Sequence, residues 1–94
     1  MGFGAYLRGK REERDMTLAQ VAGKLGISLA YLSRIERDRE NAPKDELIGK
    51  MCEVLGLSPE ETDQAYAKAR RFPPDLQKHA AQVIAAYRKT GKKD

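Results

Sequence analysis

Apolar and polar residues are distributed along this chain with the period of an α-helix. Apolar positions recur three or four residues apart in six separate stretches, and no stretch alternates for long enough to indicate a β-strand. A period of 3.6 residues places such positions on one face of a helix, which is then buried against its neighbours. The pattern therefore predicts an all-α fold of six helices.

The first three predicted helices are bounded by residues suited to helix ends. The first helix spans about residues 3–13. The second begins at Thr17, because Thr17 and Gln20 have the spacing of a capping box, in which each side chain bonds to the other residue's backbone N–H. Gly26 tolerates positive φ and is predicted to end the second helix. Ser28 is a favourable N-cap for the third.

Two further helices are predicted beyond a polar, proline-containing loop. The fourth spans about residues 44–55 and ends at Gly56, and its apolar residues recur at helical spacing. The fifth has three agreeing start signals, which are Ser58 as N-cap, Pro59 in the first turn and Glu61 as the capping-box partner.

A sixth helix is predicted after Pro73 and Pro74, which divide the chain into a domain of residues 1–72 and a second unit of residues 73–94. This helix spans about residues 75–89. Its apolar face either packs back onto the fifth helix of the same chain or forms a symmetric contact in a homodimer. The candidate dimer contacts are Leu76, Ala80, Val83, Ile84 and Tyr87.

The second and third helices are joined by only three residues, 26–28. Ala22 is small at the point where two such helices approach closely, and Leu32 and Ile35 are spaced to pack the third helix onto the second. The short connector is expected to fix the angle between the two helices and to leave the outer side of the third exposed.

This pair of helices resembles the helix-turn-helix of the Xre/Cro-type, phage repressor-like family. Counted from Leu18, the family pattern has a small residue at the fifth position, glycine at the ninth and aliphatic residues at five others. All of these positions agree here, at Ala22, Gly26, Val21, Leu25, Ile27, Leu32 and Ile35. The resemblance extends over about residues 3–71 and implies a five-helix, repressor-like DNA-binding domain with an additional C-terminal sixth helix.

Three residues depart from the family pattern. Leu18 stands where the family often has a glutamine that binds DNA, so that only the Leu18 backbone N–H is available for such a contact. Asp15 and Asp38 stand where glycine is frequent. Asp38 is also expected to place an acid near the path of a DNA phosphate.

The resemblance implies that the third helix enters the major groove of double-stranded DNA and reads bases with its exposed N-terminal residues. Arg34 is the best candidate for a bidentate contact with guanine, whereas Leu29 and Ala30 offer only apolar contact. The candidate base-contacting residues are Ser28, Leu29, Ala30, Ser33 and Arg34.

A second group of residues is expected to contact phosphates on either side of the third helix. The group consists of Thr17, Leu18, Tyr31, Arg37, Arg39, Asn41 and Lys44. For Tyr31, partial burial against the second helix is an equal alternative. The resemblance further implies an ion pair between Arg11 and Glu36 beneath the DNA-binding surface, since a carboxylate near the core needs a partner.

Composition narrows the class of protein. The 94 residues carry a net charge of +4 and 34% of them are charged, which is compatible with a polyanionic partner. Cys52 is the single cysteine, so no disulfide framework or thiolate metal cluster is expected, and Cys52 itself is expected in the core. No apolar stretch indicates a signal peptide or a membrane span, and the predicted location is the cytoplasm.

These observations predict a sequence-specific DNA-binding transcriptional regulator, a repressor that binds a palindromic operator as a homodimer. The alternative is a protein-interaction module of the same fold, an antitoxin or adaptor in which DNA binding is secondary. The apolar positions Leu29 and Ala30 favour that alternative. An enzyme is not expected, because the sequence shows no nucleophile–base pair, metal-ligand spacing or phosphate-cradling loop. No cofactor, metal or membrane association is expected either.

Overall fold

The fold is all-α, which confirms the prediction of fold class. A computed structural model describes residues 2–70 and 82–86, and no strand occurs within them. The helices are α1 (Phe3–Glu13), α2 (Leu18–Leu25), α3 (Leu29–Glu36), α4 (Asp45–Leu55) and α5 (Pro59–Ala69). Residues 82–86 are also helical and belong to the predicted sixth helix. Its remaining candidate contacts, Leu76, Ala80 and Tyr87, lie outside the described residues.

The helix ends follow the predicted capping chemistry with one shift. Capping boxes are present at Thr17 and at Ser58, and Gly26 and Gly56 end their helices with φ of 71° and 63°. The fourth helix begins at Asp45, one residue later than predicted, because Lys44 is the N-cap and has an extended backbone with ψ of 160°.

The core is formed where α1, α2, α3, α4 and α5 meet. Leu32, Ile35, Ile48 and Met51 are each only 1% exposed. In this arrangement α1 packs on α3 and α5, α2 packs on α3 and α4, and α4 packs on α5. The third helix therefore has its inner side buried between α1 and α2, and this burial determines which of its residues face outward.

The first and third helices approach each other closely at Gly4. A Cβ atom on Gly4 would overlap the backbone carbonyl of Ile35 and would lie 2.8 Å from the carbonyl oxygen of Glu36. Because Cβ contacts this short require the backbone to move, any side chain at this position would separate α1 from α3.

Asp38 supplies the N-terminal cap of α1 from a distant part of the chain. The N-cap residue of α1 is Gly2, which has no side chain to accept a hydrogen bond. Instead, the N–H of Gly4 donates to Asp38 Oδ1 over 2.8 Å, and the N–H of Ala5 donates to Oδ2 over 3.3 Å. A carboxylate at this end also interacts favourably with the helix dipole.

The backbone at Asp38 explains why glycine is frequent there in the family. Asp38 has φ of 57° and Asp15 has φ of 55°, and both values lie in the left-handed region that favours glycine. The Asp38 carboxylate binds the amide groups at the start of α1, and its position near the path of a DNA phosphate stays a prediction.

A buried ion pair joins α1 to the end of α3. Arg11 Nε and Nη2 donate to the two carboxylate oxygens of Glu36 over 2.8 and 2.9 Å, and Arg11 Nη1 donates to the Met16 carbonyl over 2.8 Å. The side chains of Arg11 and Glu36 are only 11% and 5% exposed. The guanidinium and the carboxylate thus form two parallel hydrogen bonds. This pairing compensates the cost of burying both charges.

A second group of charges joins α1 to the start of α5. Lys10 Nζ lies 2.8 Å from Glu61 Oε2, and Arg14 Nη2 lies 3.4 Å from Glu61 Oε1. The hydrogen bond from Lys10, together with one from the Ser58 N–H, lowers the pKa of Glu61 to about 2. The sequence assigned Glu61 to helix capping, and the structure adds that it also holds α1 in place.

The buried ion pair makes a prediction about stability. Arg11→Met leaves the Glu36 carboxylate buried without a cation and is expected to lower the free energy of unfolding by roughly 3–5 kcal/mol. Arg8→Met is the matched control, because Arg8 pairs with Glu12 on the same helix but both side chains are more than half exposed. That exposed pair contributes about 0–1 kcal/mol. Urea unfolding of both variants measures the difference, and equal losses would contradict the assignment.

The two left-handed aspartates provide a second test. Asp38→Gly and Asp15→Gly both relieve a strained backbone, but only Asp38→Gly removes a cap, since Asp15 makes no such bond within the described residues. Asp38→Gly is expected to be less stable than Asp15→Gly by about 1 kcal/mol, within a range of 0.5–2 kcal/mol. Thermal unfolding compares the two, and identical midpoints would show that the cap contributes nothing.

Candidate nucleic-acid interface

The connector between α2 and α3 is held by backbone hydrogen bonds. Gly26 has the left-handed conformation, its N–H donates to the Gly23 carbonyl over 3.3 Å, and the Ile27 N–H donates to the Ala22 carbonyl over 3.1 Å. The Ser28 hydroxyl then accepts from the Tyr31 N–H over 3.0 Å and caps α3. Every residue of the connector is thus tied to a helix, which fixes the angle between α2 and α3.

The inner sides of the two helices are apolar and buried. Val21, Ala22 and Leu25 of α2 are 3–4% exposed, and Leu32 and Ile35 of α3 are each 1% exposed. The residues that the sequence assigns to packing therefore lie in the core. Their burial leaves the opposite side of α3 as the part of the helix available to a partner.

The five candidate base-contacting residues lie at the start of α3 and on its outer side. Ser28, Leu29, Ala30 and Arg34 are exposed and Ser33 is half-buried. Leu29 is 49% exposed, and among the described residues Leu29 and Val83 are the exposed large apolar side chains. The outer side of α3 therefore combines small, apolar and cationic groups.

Most of the candidate phosphate-contacting residues precede or follow α3 along the chain. Thr17, Arg37, Arg39, Asn41 and Lys44 are exposed, whereas Leu18 and Tyr31 are half-buried. Tyr31 packs against the core, in agreement with the alternative of partial burial, and part of the residue stays exposed.

The N-terminus of α2 presents backbone donors toward solvent. The capping box engages the N–H groups of Thr17 and Gln20 with distances of 2.8 and 3.1 Å. The first intrahelical bond is made by the Val21 N–H to the Thr17 carbonyl. Leu18 and Ala19 come before Val21, so their N–H groups have no acceptor within the helix. Such N–H groups at the start of a helix can bind an anion.

Sequence reasoning missed one charged group at this surface. Arg34 Nε donates to Glu40 Oε2 over 2.8 Å, and the two side chains are 45% and 36% exposed. The residues are six positions apart and Glu40 lies beyond the end of α3, so the periodicity of a helix gives no signal for the pair. Only the path of the chain after α3 brings them together.

The described residues contain no arrangement that indicates a metal site or a membrane span. Cys52 is 4% exposed and lies in the core, and no three His, Cys, Asp or Glu side chains among residues 2–70 and 82–86 are grouped to hold a metal ion. Within the same residues, no helix has the length and apolar character needed to cross a membrane.

Comparison with known proteins places these helices in a family. The helix-turn-helix domain pattern matches residues 3–65. The HTH-type transcriptional repressor RghR of Bacillus subtilis is 44% identical over 55 residues, which are 58% of this chain and 41% of that protein. The uncharacterized HTH-type transcriptional regulator RghRB of the same organism is 34% identical over 85 residues, 90% of this chain and 61% of that protein.

A phage protein extends the set of relatives. The immunity repressor protein of Bacillus phage phi105 is 37% identical over 57 residues, 61% of this chain and 39% of that protein. The chain thus spans about two to three fifths of the length of these three relatives. No solved structure gives a significant match. The matched domain, the geometry of α2 and α3 and these relatives show that the chain belongs to the Xre/Cro-type helix-turn-helix family.

Proposed function

We propose that this chain is a sequence-specific DNA-binding transcriptional regulator, a repressor that binds a palindromic operator as a homodimer. One observation carries the proposal: α3 is fixed by a buried inner side and a short, fully bonded connector, while its outer side stays exposed. A rigid helix with a free outer side has the shape that the major groove of B-form DNA admits.

The residues on that outer side suit the edges of base pairs. Arg34 offers paired N–H donors that match the two acceptors of guanine, and Leu29 offers an apolar surface to the methyl group of thymine. Ser28 and Ser33 each add a hydroxyl that donates or accepts. These side chains supply sequence discrimination, whereas the remaining contacts position the protein on the duplex.

Cations and backbone donors flank α3 where the DNA backbone would pass. Arg37 and Arg39 follow the helix, Lys44 precedes α4, and all three are exposed. The free N–H groups at the start of α2 provide a further phosphate site. The exposed cations, these N–H groups and the net charge of +4 support a salt-dependent affinity for double-stranded DNA.

The relatives support a regulatory role, since two of them are named repressors. A protein of this kind acts where chromosomal DNA lies, which in a bacterial cell is the cytoplasm. Residues 1–72 would bind DNA and residues 73–94 would provide the dimer contact. In the sixth helix, Val83 is 56% exposed and Ile84 is half-buried, so an apolar side chain is available for a second copy.

One observation favours a second candidate function. Leu29 is 49% exposed and neighbours Ala30, and apolar residues at the tip of α3 also suit a protein partner. In that case the same fold would serve as an antitoxin or adaptor with secondary DNA binding. Selection of binding sites from random DNA tests the regulator, for which we expect a defined inverted repeat. A tightly bound protein partner together with no selected DNA motif would favour the alternative.

The contact assignments predict two different mutant phenotypes on the selected operator. Arg34→Ala is expected to remove about 1–3 kcal/mol of discrimination at one base pair of each half-site. Arg39→Ala is expected to weaken all sequences alike and to reduce the slope of log affinity against log salt by about 0.9. Titrations of operator and single-base variants at several salt concentrations measure both effects. If the two variants behave identically, the division into base and phosphate contacts is wrong.

The dimer contact has its own test. Val83→Glu places a charge in the proposed apolar contact and is expected to shift the protein from dimer to monomer in sedimentation equilibrium. Gln82→Glu is the matched control, because it adds the same charge at the neighbouring exposed position outside the apolar series. A wild-type protein that sediments as a monomer, or equal behaviour of both variants, contradicts the proposed contact.

A further inference from the structure

The arginine proposed to read guanine is held by a carboxylate of its own chain. Arg34 Nε lies 2.8 Å from Glu40 Oε2, and both side chains are exposed enough to meet a partner. An exposed ion pair contributes little to folding stability. Its position beside the proposed base contact therefore suggests a role in recognition.

The geometry of the pair leaves the reading edge of Arg34 free. A guanidinium group has five N–H donors in a planar fork, and Glu40 accepts only from Nε. The edge formed by Nη1 and Nη2 keeps two parallel donors, which is the arrangement that pairs with O6 and N7 of guanine. Glu40 thus restrains the side chain without occupying the donors that guanine requires.

The carboxylate is presented from a fixed stretch of backbone. The N–H groups of Asp38 and Arg39 donate to the carbonyls of Ile35 and Arg34 over 3.0 and 2.9 Å. The Asp38 side chain is in turn bound to the N-terminus of α1. Glu40 therefore follows a segment that is attached to two helices, and this attachment limits where its carboxylate lies.

We propose that Glu40 is a positioning residue that sets the sequence specificity of Arg34; this inference rests on the proposed function. By holding Nε, Glu40 keeps the guanidinium oriented for a base and away from neighbouring phosphates. Its negative charge also weakens binding to DNA of any sequence. The first effect raises the ratio of specific to non-specific affinity, whereas the second lowers total affinity and leaves that ratio unchanged.

The experiment measures affinity for the selected operator, for operators with single base pairs changed, and for random duplex. Glu40→Ala is expected to lower discrimination at the base pair read by Arg34 by at least about threefold, which is part of the full contribution of such a contact. Binding to random duplex is expected to strengthen. In an Arg34→Ala background, Glu40→Ala is expected to leave discrimination at that base pair unchanged. Glu40→Gln keeps an acceptor for Nε and is expected to retain part of the discrimination.

Glu12→Ala is the matched control, because it removes a carboxylate from an exposed Arg–Glu pair that does not involve Arg34. Circular dichroism of each variant checks that the helices are intact. An equal change on every duplex, or the same loss of discrimination with and without Arg34, would assign Glu40 to general charge and overturn the inference. Sharper discrimination in Glu40→Ala would also overturn it, since Glu40 would then block Arg34. Failure of the wild-type protein to select any operator would instead refute the proposed function itself.

Discussion

The buried ion pair between Arg11 and Glu36 is the interaction on which the placement of α3 depends. It joins the last turn of α1 to the last residue of α3, and each charged group is satisfied by the other. Apolar packing alone would hold α3 in the core but would leave its rotation less strictly defined. A planar contact with two hydrogen bonds fixes the rotation of the end of α3 as well as its burial in the core.

The close approach at Gly4 and the cap from Asp38 act on the same junction. Gly4 brings α1 against the carbonyl groups at the end of α3, and Asp38 binds the amides at the start of α1. The segment that follows α3 is thereby attached to α1, and Glu40 is placed beside Arg34. Packing, capping and the orientation of a proposed base contact thus have a common structural origin.

Most of the fold follows from local sequence signals, whereas the contacts between distant residues do not. The capping boxes at Thr17 and Ser58 and the glycine at position 26 act within a few residues, so their geometry is readable from the sequence. Asp38 bonds to a residue 34 positions away, and its role depends on a close approach that no local pattern specifies. Sequence reasoning therefore missed the capping role of Asp38.

The reactivity of Cys52 reports on opening of the core. It is the single cysteine of the sequence and is 4% exposed on α4, among the residues that support α2 and α5. A thiol reagent reaches it only when the surrounding helices separate, so the rate of alkylation of the unmodified protein measures how often the core opens. Binding of a ligand to the closed form would slow the alkylation of Cys52, and the measurement needs no engineered cysteine.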